Sequence, residues 1–402
     1  MKFVLNDKTS NWQIKKMPDV VKWSSGGTPK ATVKEYYEDG TIPWLIIGDL
    51  NDGLVTKSAT KITELGLENS SAKLIPKGTL LVAMYGSIGK LGITGIECCT
   101  NQAIAYAKEL YGVTTEFMYY QMALLKSELI SKGKGGTQKN ISQTVLNSLE
   151  VIVPPLEEQK RIVARIEELF SELDAAVATL ERTKEQLSVY RQAVLKEAFS
   201  PKDNWSVKKV SEIGEVCLGR QRSPKNVSKD YPTKYLRAAN ITETGIDLTD
   251  VLEMEFSPKE RTKYYLQYND IILSEASGSA KQVGKPGLWK CQIQDCCIQN
   301  TVIRHRVKAD NPEYVYWYYK YLYISGFFSN IVGGVGINHL GAKNFSEIRI
   351  NLAPVSDQEG IVSDIESRLS VCDKIEETVI TALQEAEAMR QSILKQAFAG
   401  EL

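Results

Sequence analysis

The chain has 402 residues, 43% hydrophobic and 24% charged, with 49 basic and 49 acidic side chains and a formal net charge of zero. That length exceeds one ordinary hydrophobic core and fits two domains of roughly 150 residues plus long helices. No apolar run approaches the roughly 18 residues of a membrane span, no signal peptide is visible, and seven cysteines fit a reducing cytoplasm better than a disulfide framework.

In chain order, Trp12-Gln13-Ile14-Lys15-Lys16 opens the first half. Pro43-Trp44-Leu45 and Gly48-Asp49-Leu50 follow, then Gly78-Thr79-Leu80-Leu81-Val82, a turn leading into a buried-type strand. Next come Cys98-Cys99, a helical stretch near 115–131, the Gly135-Gly136 turn with Asn140, and a strand-like run over 149–153. Pro154-Pro155 ends that run, Glu157 and Glu158 suit a helix N-terminus, and Pro201 closes the helix between them. Its 4-3 apolar spacing predicts a coiled-coil seam through Ile162, Ile166, Leu169, Leu173, Ala176, Leu180, Thr183, Leu187, Tyr190 and Val194.

The second half repeats the order. Trp205-Ser206-Val207-Lys208-Lys209, Tyr235-Leu236, Ala239-Asn240-Ile241, Asn269-Asp270-Ile271, Cys296-Cys297, a helical stretch near 312–331, and Gly333-Gly334 with Asn338 parallel the first-half blocks. Residues 354–398 then match 155–199 at a constant offset of 199, identical at 15 of 45 positions, including Gln159/Gln358, Asp174/Asp373, Arg191/Arg390 and Phe199/Phe398. The second seam runs Ile361, Ile365, Cys372, Ile375, Val379, Ala382, Ala386, Met389 and Ile393; Arg368 interrupts it, with Leu369 able to rotate in.

A lone amphipathic helix of this length cannot bury its stripe, and a domain separates the copies, so they are predicted to pair antiparallel. The predicted fold class is α+β, mixed: two α/β domains (1–154 and 201–353) joined by two long antiparallel helices (155–200 and 354–402) in a coiled coil, with a pseudo-twofold internal repeat. The copies also make the sequence nearly circular, which places the termini close together. Segments 156–199 and 354–402 carry 19 acidic and 11 basic side chains, net −8, so the rest of the chain is +8 and holds the anion-facing surfaces.

Pro154-Pro155-Leu156-Glu157-Glu158-Gln159-Lys160-Arg161-Ile162, the helix ending Arg191-Gln192-Ala193-Val194-Leu195, the preceding Gly136-Thr137-Gln138-Lys139-Asn140-Ile141-Ser142 and the C-terminal echo of that helix resemble the specificity subunit of type I restriction–modification systems. The resemblance covers essentially the whole chain. It implies two target-recognition domains, each reading half of a split site on double-stranded DNA, and helices that act as a spacer. It also implies two methyltransferase subunits as partners, restriction subunits in the full complex, and S-adenosylmethionine, ATP and Mg entering through those partners.

The residues carry no chemistry of their own. There is no glycine-rich cofactor turn and no Asn/Asp-Pro-Pro-aromatic element; Pro155 is followed by Leu156. Gly86 and Gly89-Lys90 have the wrong spacing for a phosphate loop, and His305 and His339 stand alone. Adjacent cysteines on a strand face opposite ways, which favours core packing over metal binding, as does helical spacing for the tyrosine-rich 314–323 cluster; Trp12 and Trp205 read as domain–helix packing. The chain is therefore read as non-catalytic, with no cofactor or metal of its own. A protein-binding scaffold and a standalone modifying enzyme are the rival readings.

DNA recognition needs cations on phosphates and hydrogen-bonding side chains on base edges. In the first half the candidates are Thr28 and Lys30, Tyr85 and Ser87 with Lys90, and the glycine-lysine loop with Lys132, Lys134, Thr137, Gln138, Lys139 and Asn140. In the second half they are Arg220, Arg222 and Lys225, then Ser277, Ser279, Lys281, Gln282 and Lys285, and finally Asn338 and His339. The loop sequences differ between halves, so the two half-sites are expected to differ.

Overall fold

A computed structural model describes residues 9–135, 139–221, 232–332 and 338–402, with the side chains of Ser277 and Asn338 outside that description. Two compact units emerge: Met1–Leu180 with Thr381–Leu402, and Glu181–Ile380. The central helix Leu156–Ala198 and the C-terminal helix Val355–Ala397, each of 43 residues, are each divided between the units. Each unit thus holds the start of one long helix and the end of the other.

In the first unit a five-stranded sheet runs in the order Val21–Ser25, Ile104–Leu110, Leu80–Ala83, Leu91–Thr94, Gly53–Val55. A three-stranded sheet places Ile42–Leu45 between Thr60–Ile62 and Cys99–Thr100, parallel to the latter. A ribbon of Gln13–Lys16 with Glu150–Val153 leads into the central helix. Helix Thr115–Lys132, capped by Thr114 Oγ1 accepting from Phe117 N–H, buries Phe117, Met122 and Leu129 in one core with Leu80 and Val82. Ile162 and Ile166 from the start of one long helix, and Leu394 and Phe398 from the end of the other, join that core.

The second unit repeats the plan. A four-stranded sheet runs Gly214–Leu218, Val302–Val307, Ile271–Ser274, Pro286–Leu288; Pro232–Leu236 lies between Leu252–Glu255 and Cys296–Ile298; Ser206–Lys209 pairs with Arg349–Leu352. Its core gathers Leu195, Phe199, Tyr314, Tyr318, Val362 and Ile365. The helical stretch expected over 312–331 is two helices, Pro312–Ile324 and Phe327–Ile331, because Gly326 at φ +76° takes a left-handed conformation that no helix continues through.

The long helices are antiparallel inside each unit. In the first, Asp174 pairs with Arg390, and Arg161 Nη1 donates to the carbonyl of Leu402 at 3.1 Å. In the second, Arg191 pairs with Asp373 at 2.6 Å and Glu376 at 2.7 Å, and Arg368 with Glu197 at 2.9 Å. Adding 199 to Asp174 and Arg191 gives Asp373 and Arg390, so each unit makes the same bridge with the roles of the helices exchanged. That is the internal repeat. Gly400 packs against Thr9 and near Trp12, as the near-circular sequence implies.

The seam differs from the expected list at four places. Ala176, Tyr190, Ile375 and Met389 face outward, and Val177, Arg191, Glu376 and Arg390 take the inward slots. A straight helix drifts about 20° per heptad against a strict 4-3 repeat, enough to move the stripe by one residue near mid-helix. Arg368 spans from Asp364 to Glu197 over the Tyr190 ring, while Leu369 packs toward the core.

One fully buried amide fastens each long helix to its domain. Gln159 Oε1 accepts from Thr114 N–H at 3.0 Å, and its Nε2 donates to the carbonyls of Gly112 (2.8 Å) and Pro154 (2.9 Å). Gln358 does the same with Asn311 N–H (2.7 Å), Asp310 (2.8 Å) and Ala353 (3.0 Å). In both units the glutamine satisfies the residue that caps the domain helix, so the two helix starts are set together. Trp12 lies in the first core and Trp205 packs edge-to-face on Tyr314 with ring centroids 6.4 Å apart. Cys98, Cys99, Cys296 and Cys297 are buried, and burial pushes the Cys99 thiol up to about 11 and the other three to about 12.

Candidate nucleic-acid interface

In the first unit, strand Leu80–Ala83 ends at Met84, which is held from both sides: its N–H donates to Ala103 and its carbonyl accepts from Ile141, both at 2.8 Å. The chain then turns through Tyr85 and Gly86. Gly86 N–H donates to Lys139 (3.1 Å), Asn140 bridges Tyr85, and Lys134 and Asn140 exchange backbone bonds at 2.8 and 3.0 Å. Two of the three expected loops therefore form one surface. A cleft of about 350 Å³ carries Ser87, Lys90, Lys126 and Lys139, and a neighbouring one of about 690 Å³ carries Tyr85, Lys132, Lys134 and Asn140. In the first cleft three lysines face one carboxylate, Asp52, which holds Lys126 at 3.2 Å.

The loop with exposed Thr28 and Lys30 adjoins this surface. Gly27 N–H donates to Thr100 (2.9 Å) and the Thr28 hydroxyl donates to Gln102, the residue before the Ala103 that holds Met84. Gly27 is needed there, since a Cβ would lie 2.4 Å from the backbone of Ala72.

The second unit builds the same clamp. Glu275 N–H donates to Thr301 (2.8 Å), its carbonyl accepts from Leu340 (2.9 Å), and Ala276–Ser277 pairs antiparallel with Asn338–His339. This register makes His339, not Asn338, the counterpart of Asn140. His339 Nδ1 lies 3.1 Å from Glu275 Oε2. The turns match too: Gly89 N–H donates to Ala83 and Gly284 N–H to Ser274, with φ +73° and +77°, so Ser87 and Lys90 correspond to Gln282 and Lys285. Ser279, Lys281 and Gln282 are exposed beside the clamp.

Two expected cations do not fit a surface role. Arg220 is buried, donates to Glu260 (2.8 Å) and to the carbonyl of Glu255, and lies over the Phe256 ring. Lys285 is buried against Gln282 and Glu243. Both acidic partners lie some 40 residues away in sequence, out of reach of loop-by-loop reading. Thr137, Gln138, Arg222 and Lys225 lie outside the described residues. Lys126 was missed because it sits within a helix; its signal is that it is the first charged residue after nine uncharged ones. Tyr314, Tyr318 and Tyr319 are buried, as helical spacing implies.

Two units of one plan, each ending in clamped, glycine-turned polar loops and tied by shared antiparallel helices, define a duplicated recognition protein. The family described as the type I restriction modification DNA specificity domain matches twice, over residues 9–187 and 202–385. The chain belongs to that family: it is a type I restriction–modification DNA specificity subunit with two target-recognition domains, a recognition component and not a catalytic one. It is 25% identical to the EcoKI specificity subunit of Escherichia coli K12, over 97% of this chain and 89% of that one. It is 23% identical to the StySPI specificity subunit of Salmonella potsdam, over 93% and 85%. Among solved structures, a chain from work on assembly and conformational transition of the type I R-M system superposes with a TM-score of 0.79 at 16% identity, covering all of both chains. The HsdS subunit from Thermoanaerobacter tengcongensis does so at 0.57 and 17% identity, over 98% of each. These likenesses show the fold. No helix among the described residues is long and apolar enough to cross a membrane.

Proposed function

We propose that each domain reads one half of a bipartite site on double-stranded DNA and that the paired helices set the distance between the halves. The observation that carries this is the recurrence of one backbone clamp with different side chains: Tyr85, Ser87 and Asn140 in the first unit, Ala276, Gln282 and His339 in the second. The scaffold is duplicated and the reading groups are not, so two unlike half-sites are specified. Lys90, Lys126 and Lys139 neutralise phosphates, with Lys30, Lys132 and Lys134 flanking them; Thr28 and Asn140 offer hydrogen bonds to base edges. Two methyltransferase subunits dock on the helices, joined by restriction subunits in the full complex, and S-adenosylmethionine, ATP and Mg act through these partners. The assembly works in the cytoplasm, beside chromosomal DNA. Tethering makes the second half-site contact intramolecular, which strengthens binding without further contacts.

Methylome sequencing of a host carrying this gene with its methyltransferase partner is expected to show a two-part motif with a gap. Lys90→Gln, Lys126→Gln and Lys139→Gln are each expected to lower the log–log salt slope of DNA affinity by about 0.9 while leaving the motif unchanged. A single uninterrupted motif, or affinity insensitive to salt as in a protein-binding scaffold, would refute the reading.

A further inference from the structure

Lys285 stands where the first unit has Lys90, but it is turned inward. Its Nζ donates to Gln282 Oε1 and lies 3.3 Å from Glu243 Oε1. Glu243 is fixed in turn by the Tyr323 hydroxyl, donating at 2.7 Å, and by Lys320 Nζ, donating to its carbonyl at 2.6 Å. The backbone is pinned as well: Gln282 N–H donates to Ser279 (3.0 Å), the Ser274 hydroxyl donates to the Gln282 carbonyl, and Lys285 N–H donates to Ser274 Oγ (3.1 Å). An ammonium can only donate, so it must take the amide's oxygen. The Gln282 side chain, exposed on the reading surface, is left presenting its NH₂ group outward.

We propose that Gln282 is a specificity-determining residue that reads a keto-bearing base, guanine or thymine, and that Lys285 is the positioning residue that fixes its polarity. This rests on the reading of the second unit as a half-site reader. A free glutamine suits adenine, offering donor and acceptor to N7 and N6 together; with its oxygen turned toward Lys285 the amide presents chiefly its donor, which suits guanine O6 and N7 or thymine O4. The cleft beside it, about 460 Å³, is walled by Ala238, Ala239 and Ala276, and leaves room for the thymine methyl. In the first unit Ser87 and Tyr85 occupy the places of Gln282 and Ala276, so this selection belongs to one half-site only.

The test is methylome sequencing of the complex with its methyltransferase partner. Gln282→Glu presents acceptors only and is expected to move one motif position from guanine or thymine toward cytosine or adenine by about tenfold or more, the other half-site staying fixed. Lys285→Met releases the amide and is expected to admit adenine at that position, while Lys285→Arg, which still donates, keeps the original base. The wild-type motif decides between guanine and thymine. An unchanged motif in Gln282→Glu, or an adenine or cytosine at the affected position in the wild type, overturns the proposal. Should Lys285→Met lose all methylation, Gln282→Glu on an exposed side chain still decides. A two-part motif indifferent to Gln282 sinks only this inference; absence of any two-part motif sinks the functional reading beneath it.

Discussion

Seven residues inserted after Leu180 and another seven after Ile380 lengthen both long helices in step. The insertion points fall between the two equivalent bridges, Asp174 with Arg390 and Arg191 with Asp373, so both bridges and both domain cores survive. Seven residues turn within about 20° of two full turns, which keeps the apolar stripe in line when the insert carries the seam spacing. At about 1.5 Å per residue the added length is about 10.5 Å, and at about 3.4 Å per base pair this is about 3 base pairs of gap. Methylome sequencing of the double insertion is expected to show both half-sites unchanged and the gap longer by about 3 base pairs. A single insertion cannot satisfy both bridges, since it shifts one against the other by two helical turns; it is expected to lower stability without defining a new gap. Altered half-sites over the old gap would refute the ruler, as would a single insertion that behaves like the double one.

Two further predictions concern stability. His305 is fully buried, and burial pushes its pKa from 6.5 down to about 4. The unfolded chain therefore takes up the proton first as pH falls: the stability held by the neutral imidazole is whole above pH 6.5, declines below it, and is gone below pH 4. At pH 5 the 1.5-unit gap corresponds to about 2 kcal/mol. Urea unfolding at pH 7.5 and pH 5 is expected to show wild type losing about 2 kcal/mol more than His305→Gln; equal losses would dismiss the assignment. Gln159→Leu removes the partner of the Thr114 N–H and of the carbonyls of Gly112 and Pro154, the last of them buried. At about 1 kcal/mol or more per group, the expected cost is about 3 kcal/mol and a Tm lower by about 6–12 °C for a unit of this size. A calorimetric shift under about 2 °C would show that the amide does not fasten the helix.

The long helices were legible because their signal is local and repeated: an apolar stripe, proline stops and a 199-residue offset that pairs Asp174 with Asp373 and Arg191 with Arg390. The errors there were errors of period, where a 4-3 template chose Ile375 and Met389 over Glu376 and Arg390. The clamp was half legible. Glycine followed by lysine marks the turn in both domains, at Gly89-Lys90 and Gly284-Lys285, and the turns coincide in the fold. Whether such a lysine faces DNA depends on carboxylates elsewhere in the chain. Asp52 leaves Lys90 on the surface and engages Lys126, whereas Glu243 draws Lys285 inside. Asn140 was matched to Asn338 by residue type, and only the hydrogen bonds of Ile141 and Leu340 show that His339 is its equivalent. Duplication explains this division. The backbone bonds of the clamp involve no particular side chain, so both copies keep them while the side chains diverge. The scaffold is the shared inheritance of the two halves, and base choice is carried by differences such as Ser87 against Gln282.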